Sequence, residues 1–123
     1  MGKVYAVGVG PGSPKYVTEI VKEIVQNCDI LIGYKYTLKT IENFIEGKEI
    51  YEITMNDQEK SYQKILPELG DRTLVIPFTG DVNFSESEVV DRLIEIFGEV
   101  EIIPGISSFQ VAASRAKVPL DKS

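Results

Sequence analysis

Apolar positions in this chain follow two rhythms, short unbroken runs and stripes at helical spacing. Val4-Tyr5-Ala6-Val7, Ile30-Leu31-Ile32, Thr73-Leu74-Val75-Ile76-Pro77-Phe78 and Val100-Glu101-Ile102-Ile103 are runs of the first kind, the pattern of strands buried on both faces. Glu49-Ile50-Tyr51-Glu52-Ile53 alternates instead and predicts a strand at a sheet edge. Between the runs lie five stripes: Val17, Ile20, Val21, Ile24 and Val25; Tyr36, Leu38, Ile41, Phe44 and Ile45; Tyr62, Ile65, Leu66 and Leu69; Val89, Val90, Leu93, Ile94 and Phe97; and Phe109, Ala112, Ala113 and Ala116. Each predicts an amphipathic helix packing on a sheet. Five β–α units in succession imply an α/β fold, a parallel five-stranded sheet with helices on both faces, in one domain over residues 1–123.

Punctuation supports this division. Ser13-Pro14 reads as an N-cap followed by proline at the first helical position. Asn56-x-x-Glu59, Ser85-x-x-Glu88 and Ser107-x-x-Gln110 have the form of helix starts. Asn27-Cys28-Asp29 breaks the first helix, Gly47 and Gly98 stop the second and fourth, and Pro67 kinks or shortens the third.

Three connections are unusual, those at 8–13, 80–85 and 104–108. All follow strands, so in a parallel sheet all face one crevice. Each precedes a helix start and offers oriented backbone N–H donors. The first holds Gly8, Gly10 and Gly12, where no Cβ obstructs a ligand. A dinucleotide fingerprint would need glycine where Ser13 stands and an acid at the end of the second strand, which reads Gly33-Tyr34-Lys35. The loop of the common Rossmann-type methyltransferases expects the same missing acid, and no Walker A spacing occurs. A tight strand–helix turn without a ligand is the plain alternative.

Composition narrows the chemistry. The chain has no histidine, which removes Ser-His-Asp and Cys-His catalysis and histidine-ligated metals together. Cys28 is the single cysteine, so no disulfide framework or cysteine-rich zinc site can form. A net charge of −6 argues against a nucleic-acid partner, and local Lys or Arg must meet any anionic substrate. The hydrophobic fraction of 43% is ordinary for a soluble protein. No run approaches a membrane span and no signal-peptide layout opens the chain, so the cytoplasm is expected.

The motifs Gly8-Val9-Gly10-Pro11-Gly12-Ser13-Pro14 with Val17-Thr18, Gly80-Asp81-Val82, and Ile103-Pro104-Gly105-Ile106-Ser107-Ser108-Phe109-Gln110 resemble, in order and spacing, those of the tetrapyrrole (corrin/porphyrin) methylases, which use S-adenosylmethionine. The second and third look most like the cobalt-precorrin C5-methyltransferase branch of cobalamin synthesis. The resemblance implies strand order 3-2-4-1-5 and methyl transfer to a ring carbon of a cobalt-precorrin. Gly80, Asp81, Phe84, Ser107 and Ser108 would lie near the methyl donor, with Val9, Pro11 and Gly12 on the floor of the macrocycle trough. It also implies a homodimer. Relatives run to about twice this length, so the chain corresponds to the N-terminal domain of a two-domain family. Asn83-Phe84-Ser85 departs from the Gly-Phe-Tyr-Ser continuation of relatives. Other members of this fold are alternatives: a uroporphyrinogen-type methylase, a diphthine synthase or a ribosomal RNA methyltransferase. A non-catalytic binding or dimerisation fragment is another.

Several residues admit two readings. Asp81 could contact the cofactor, order its loop through backbone N–H groups, or do both. Ser107 could be an N-cap or a ligand contact. Tyr34-Lys35-Tyr36 follow the second strand on the same edge, as a solvated loop or within reach of a macrocycle carboxylate. Thr18 reads as structural and Cys28 as a small buried apolar residue. No general base is evident.

Overall fold

The structure, a computed structural model, describes residues 2–81 and 87–107. Five strands, β1 (Val4–Gly8), β2 (Ile30–Tyr34), β3 (Glu49–Ile53), β4 (Leu74–Phe78) and β5 (Glu101–Ile103), form one sheet in the order β3-β2-β4-β1-β5. Every ladder is parallel, with Val4 opposite Leu74, Tyr5 opposite Glu101 and Ile30 opposite Glu49. Sheet type and strand order are those expected. The alternating segment is an edge strand, with four of its five residues exposed.

Alternate side chains of the same strands feed two cores, because successive Cβ atoms point to opposite faces. On one face Val4, Ala6, Ile30, Ile32, Leu74 and Ile76 meet α3 (Gln58–Ile65) and α4 (Ser87–Phe97). Tyr62 of α3 and Phe97 of α4 make an edge-to-face pair there, centroids 6.2 Å apart. On the other face Val7, Val9, Leu31 and Val75 pack against α1 (Glu19–Asn27) and α2 (Lys35–Thr40). Val21 and Val25 of α1 are fully buried. Each contributes roughly 1.5–3 kcal/mol by leaving water.

The helix boundaries correct the sequence reading in detail. Ser13 caps only a 3-10 turn, Pro14–Tyr16, its hydroxyl accepting from the Lys15 N–H at 3.3 Å. The helix proper starts after Thr18, whose hydroxyl accepts from the Val21 N–H at 3.4 Å. With that start Val21 and Val25 face the sheet, and Ile20, one residue out of phase with them, is exposed. Asp57, not Asn56, precedes α3, and its carboxylate accepts from the Thr54 N–H at 2.7 Å. Pro67 sits in a 3-10 turn, Leu66–Glu68, that ends this helix. The second stripe divides into α2 and a 3-10 turn, Glu42–Phe44, and Tyr36 is exposed rather than part of the core. Ile94 on α4 is also exposed. The Ser85 cap and the helix expected after Ser107 lie outside the described residues.

Pro77 shapes the edge that matters. Proline has no N–H to give a ladder, and the β2–β4 pairing stops at Leu31 opposite Val75 while β1–β4 continues to Gly8 opposite Phe78. The prolyl ring instead lies against Gly33, where a Cβ would stand 3.0 Å from Pro77 Cγ. Beyond Val75, β2 and β4 are held by side chains rather than by backbone bonds.

Candidate functional site

The C-terminal ends of β1, β4 and β5 bring the three glycine-containing loops into contact. Gly10 and Gly80 form an isolated bridge, the Gly80 N–H donating to Gly10 O at 2.7 Å and the Gly10 N–H to Gly80 O at 3.2 Å. Both residues have φ near +80°, a conformation that side chains disfavour. Gly8 and Gly105 complete the junction. A Cβ on Gly8 would lie 2.5 Å from Gly80 O, and one on Gly105 would lie 2.4 Å from Gly8 O. The glycines thus serve two purposes, left-handed turns at 10 and 80 and backbone contact at 8 and 105.

Asp81 ties the second loop to the third. Its carboxylate is half-buried, and Oδ1 accepts from the Gly105 N–H at 3.3 Å. The loop-ordering role weighed from sequence is therefore present. Ser107 is buried, 5% exposed, and among the described residues its Cα is the nearest atom, 4.0 Å away, to a Cβ built on Gly80, which is itself buried. Phe84 and Ser108, also expected near the methyl donor, lie outside the described residues.

The expected floor residues separate. Pro11 and Gly12 are half-buried on the loop after β1. Val9 is fully buried in the core beneath α1, and its N–H is donated to Phe78 O at 2.9 Å. Its side chain faces the core, and the residue as a whole is 0% exposed.

Thr37, missed in the sequence reading, joins this edge together with Tyr36, which the sequence placed there. Thr37, 3% exposed, shares a hydrogen bond with Thr79, Oγ1 to Oγ1 at 2.9 Å, across the gap where the β2–β4 ladder has ended. Tyr36 places its hydroxyl over Gly12, 2.7 Å from where a Cβ would stand. For Thr37 the one available signal was a threonine between Tyr36 and Leu38 of the second stripe, and it points equally well to solvent.

Burial, the largest influence, pushes the Cys28 thiol up to about 11, opposed by Lys48. Its Sγ–H donates to Val25 O at 3.1 Å, at the opposite end of the sheet from the loops. Cys28 is core, as read from sequence.

The family model for Tetrapyrrole (Corrin/Porphyrin) Methylases matches residues 3–123. The chain belongs to this family. A probable cobalt-precorrin-7 C(5)-methyltransferase from Methanocaldococcus jannaschii is 34% identical over 119 residues, covering 94% of this chain and 54% of that protein. A cobalt-factor III methyltransferase from Priestia megaterium is 27% identical, covering 97% of this chain and 24% of its own length. The crystal structure of the methyltransferase CobJ superposes with TM-score 0.78 at 26% identity, over 98% of this chain and 53% of that one. The chain thus spans between a quarter and about half of these relatives. Among the described residues no helix of this methylase-family chain is long and apolar enough to cross a membrane.

Proposed function

We propose that this chain contributes the N-terminal half-site of an S-adenosylmethionine-dependent methyltransferase acting on a ring carbon of a cobalt-precorrin in cobalamin synthesis. The observation that carries the reading is the Gly8–Gly80–Gly105 junction, which packs the three motif loops into one edge beside a family-wide match. The relative at 34% identity, named for C5 of cobalt-precorrin-7, favours that ring position.

The residues present suit such a cofactor. Gly80 carries no side chain beside Ser107, and the half-buried Asp81 carboxylate accepts from the Gly105 N–H. Gly80, Asp81 and Ser107, with Phe84 and Ser108, would hold the donor. Pro11 and Gly12 would support the macrocycle, with Val9 anchoring their loop in the core. The donor supplies an electrophilic methyl on a sulfonium with a good leaving group. What the chain supplies is alignment, because bringing two reactants into line replaces a bimolecular encounter. The paired Gly10–Gly80 hydrogen bonds and the Gly105 N–H bond to Asp81 suit that task, since they tie the three loops to one another. This reading places the enzyme in the cytoplasm as a homodimer, which light scattering over a dilution series would reveal.

Calorimetry with S-adenosylhomocysteine and transfer of labelled methyl to a cobalt-corrinoid test the proposal. Binding together with label in the corrinoid supports it. Binding of neither ligand once this chain is joined to the second domain of the family, in a protein that unfolds cooperatively, rejects it.

A further inference from the structure

We propose that Tyr36 is a substrate-contacting residue, its phenol standing over Gly12 and donating a hydrogen bond to a carboxylate of the bound macrocycle. The inference rests on the reading of loop 10–12 as part of a tetrapyrrole site.

The backbone at Tyr36 is held while its ring is not. Thr37 and Leu38, the next two residues, are buried, and the Thr40 hydroxyl donates to Tyr36 O at 3.3 Å. The Tyr36 side chain is 64% exposed, unusual for a large aromatic in a position so well anchored. Its direction is specific: the hydroxyl lies 2.7 Å, and the ring carbon bearing it 3.6 Å, from the position a Gly12 Cβ would occupy. Gly12 has φ +117°, so the backbone there and the phenol above it both depend on the missing side chain.

Topology gives the contact its meaning. Tyr36 follows β2 and Gly12 follows β1, and β4 runs between those strands. The tyrosine therefore links the β2 side of the edge to the β1 side, with β4, whose ladder to β2 has stopped at Val75, between them. It presents an apolar ring with a donor at its tip. A flat macrocycle with acidic groups at its rim has matching chemistry. Exposed Lys35, adjacent in the chain, and exposed Lys15, three residues past Gly12, put positive charge on this edge of a chain whose net charge is −6.

The test uses two corrins, cobyrinic acid with free carboxylates and cobinamide with those groups as amides, titrated by absorbance, and S-adenosylhomocysteine by calorimetry. Tyr36→Phe is expected to weaken cobyrinic acid about tenfold, as loss of a hydrogen bond to a charged group does. Cobinamide and S-adenosylhomocysteine affinities should stay within about twofold of the native chain, since neither uses that bond. An unchanged affinity for cobyrinic acid, or an equal loss for both corrins, overturns the donor role. Binding of S-adenosylhomocysteine without either corrin overturns the macrocycle reading of the loop and this inference with it. A ligand-free arm tests the geometry by thermal unfolding. Gly12→Ala should lower the midpoint much less in a Tyr36→Ala background than in the native chain, and an equal drop in both would place the phenol elsewhere.

Discussion

Gly8 and Gly105, on neighbouring strands' exits, stand so close that neither can carry a side chain: a Cβ on the first would lie 2.8 Å from the Gly105 nitrogen, and one on the second 2.4 Å from the Gly8 oxygen. Backbone cannot rotate aside as a long side chain can, so one added methyl must push two strands' loops apart.

Gly105→Ala should therefore destabilise the chain by at least the roughly 1–3 kcal/mol typical of overpacking. Gly47→Ala is the control. It has φ +80° but nothing within 4 Å of a Cβ, so only the left-handed conformation counts against it, about 1–2 kcal/mol. Urea unfolding of both variants checks the order, and an equal or smaller cost at 105 would contradict the close packing.

The Thr37–Thr79 pair predicts an asymmetry. Thr37 is buried whereas Thr79 is exposed. Thr37→Val leaves the Thr79 hydroxyl free to bond water, for a cost of about 0.5–1.5 kcal/mol. Thr79→Val strands a buried hydroxyl and should cost more, about 1–3 kcal/mol. Equilibrium unfolding of the two single variants decides which is worse.

At Asp81 the acceptor and the charge can be separated. Asp81→Asn keeps an oxygen for the Gly105 N–H, whereas Asp81→Ala removes it. Stability should fall by about 0.5–1.5 kcal/mol for Ala and much less for Asn. If the carboxylate also serves the methyl donor, S-adenosylhomocysteine affinity drops in both variants. Calorimetry and thermal melts on the same samples resolve the two roles.

Cys28 predicts a loss of stability in alkali. Its folded pKa is raised to about 11 by burial, above the ordinary thiol value of about 8.5. Over that interval the unfolded chain releases a proton that the folded chain keeps. The unfolded state thus binds fewer protons, and stability falls as pH rises. The stability difference between the native chain and Cys28→Ala should shrink from pH 8 towards pH 10.5, measured by urea unfolding. In the native state the thiol should react slowly with disulfide reagents.

The sequence alone determined which segments pair and which pack, because burial on two faces demands unbroken apolar runs and burial on one face demands a helical stripe. Ile30-Leu31-Ile32 and Leu74-Val75-Ile76 could be little else, and Glu49-Ile50-Tyr51-Glu52-Ile53 declared itself an edge by its alternation. The three glycine loops were equally legible, since glycine and proline mark turns through local backbone sterics. What only the tertiary structure decided were relations between residues distant in the chain. Whether Gly8 serves a left-handed turn or a close contact depends on Gly80 and Gly105, which pack against it from other strands. Val9 looks like loop in the sequence and is core in the fold, because α1 covers it. Tyr36 looks like core and is exposed, because α2 ends at Thr40 and its first turn reaches over Gly12 instead of lying on the sheet. Local periodicity reports the face of an element; the partner on that face depends on strand order and crossover, which no window of neighbouring residues contains.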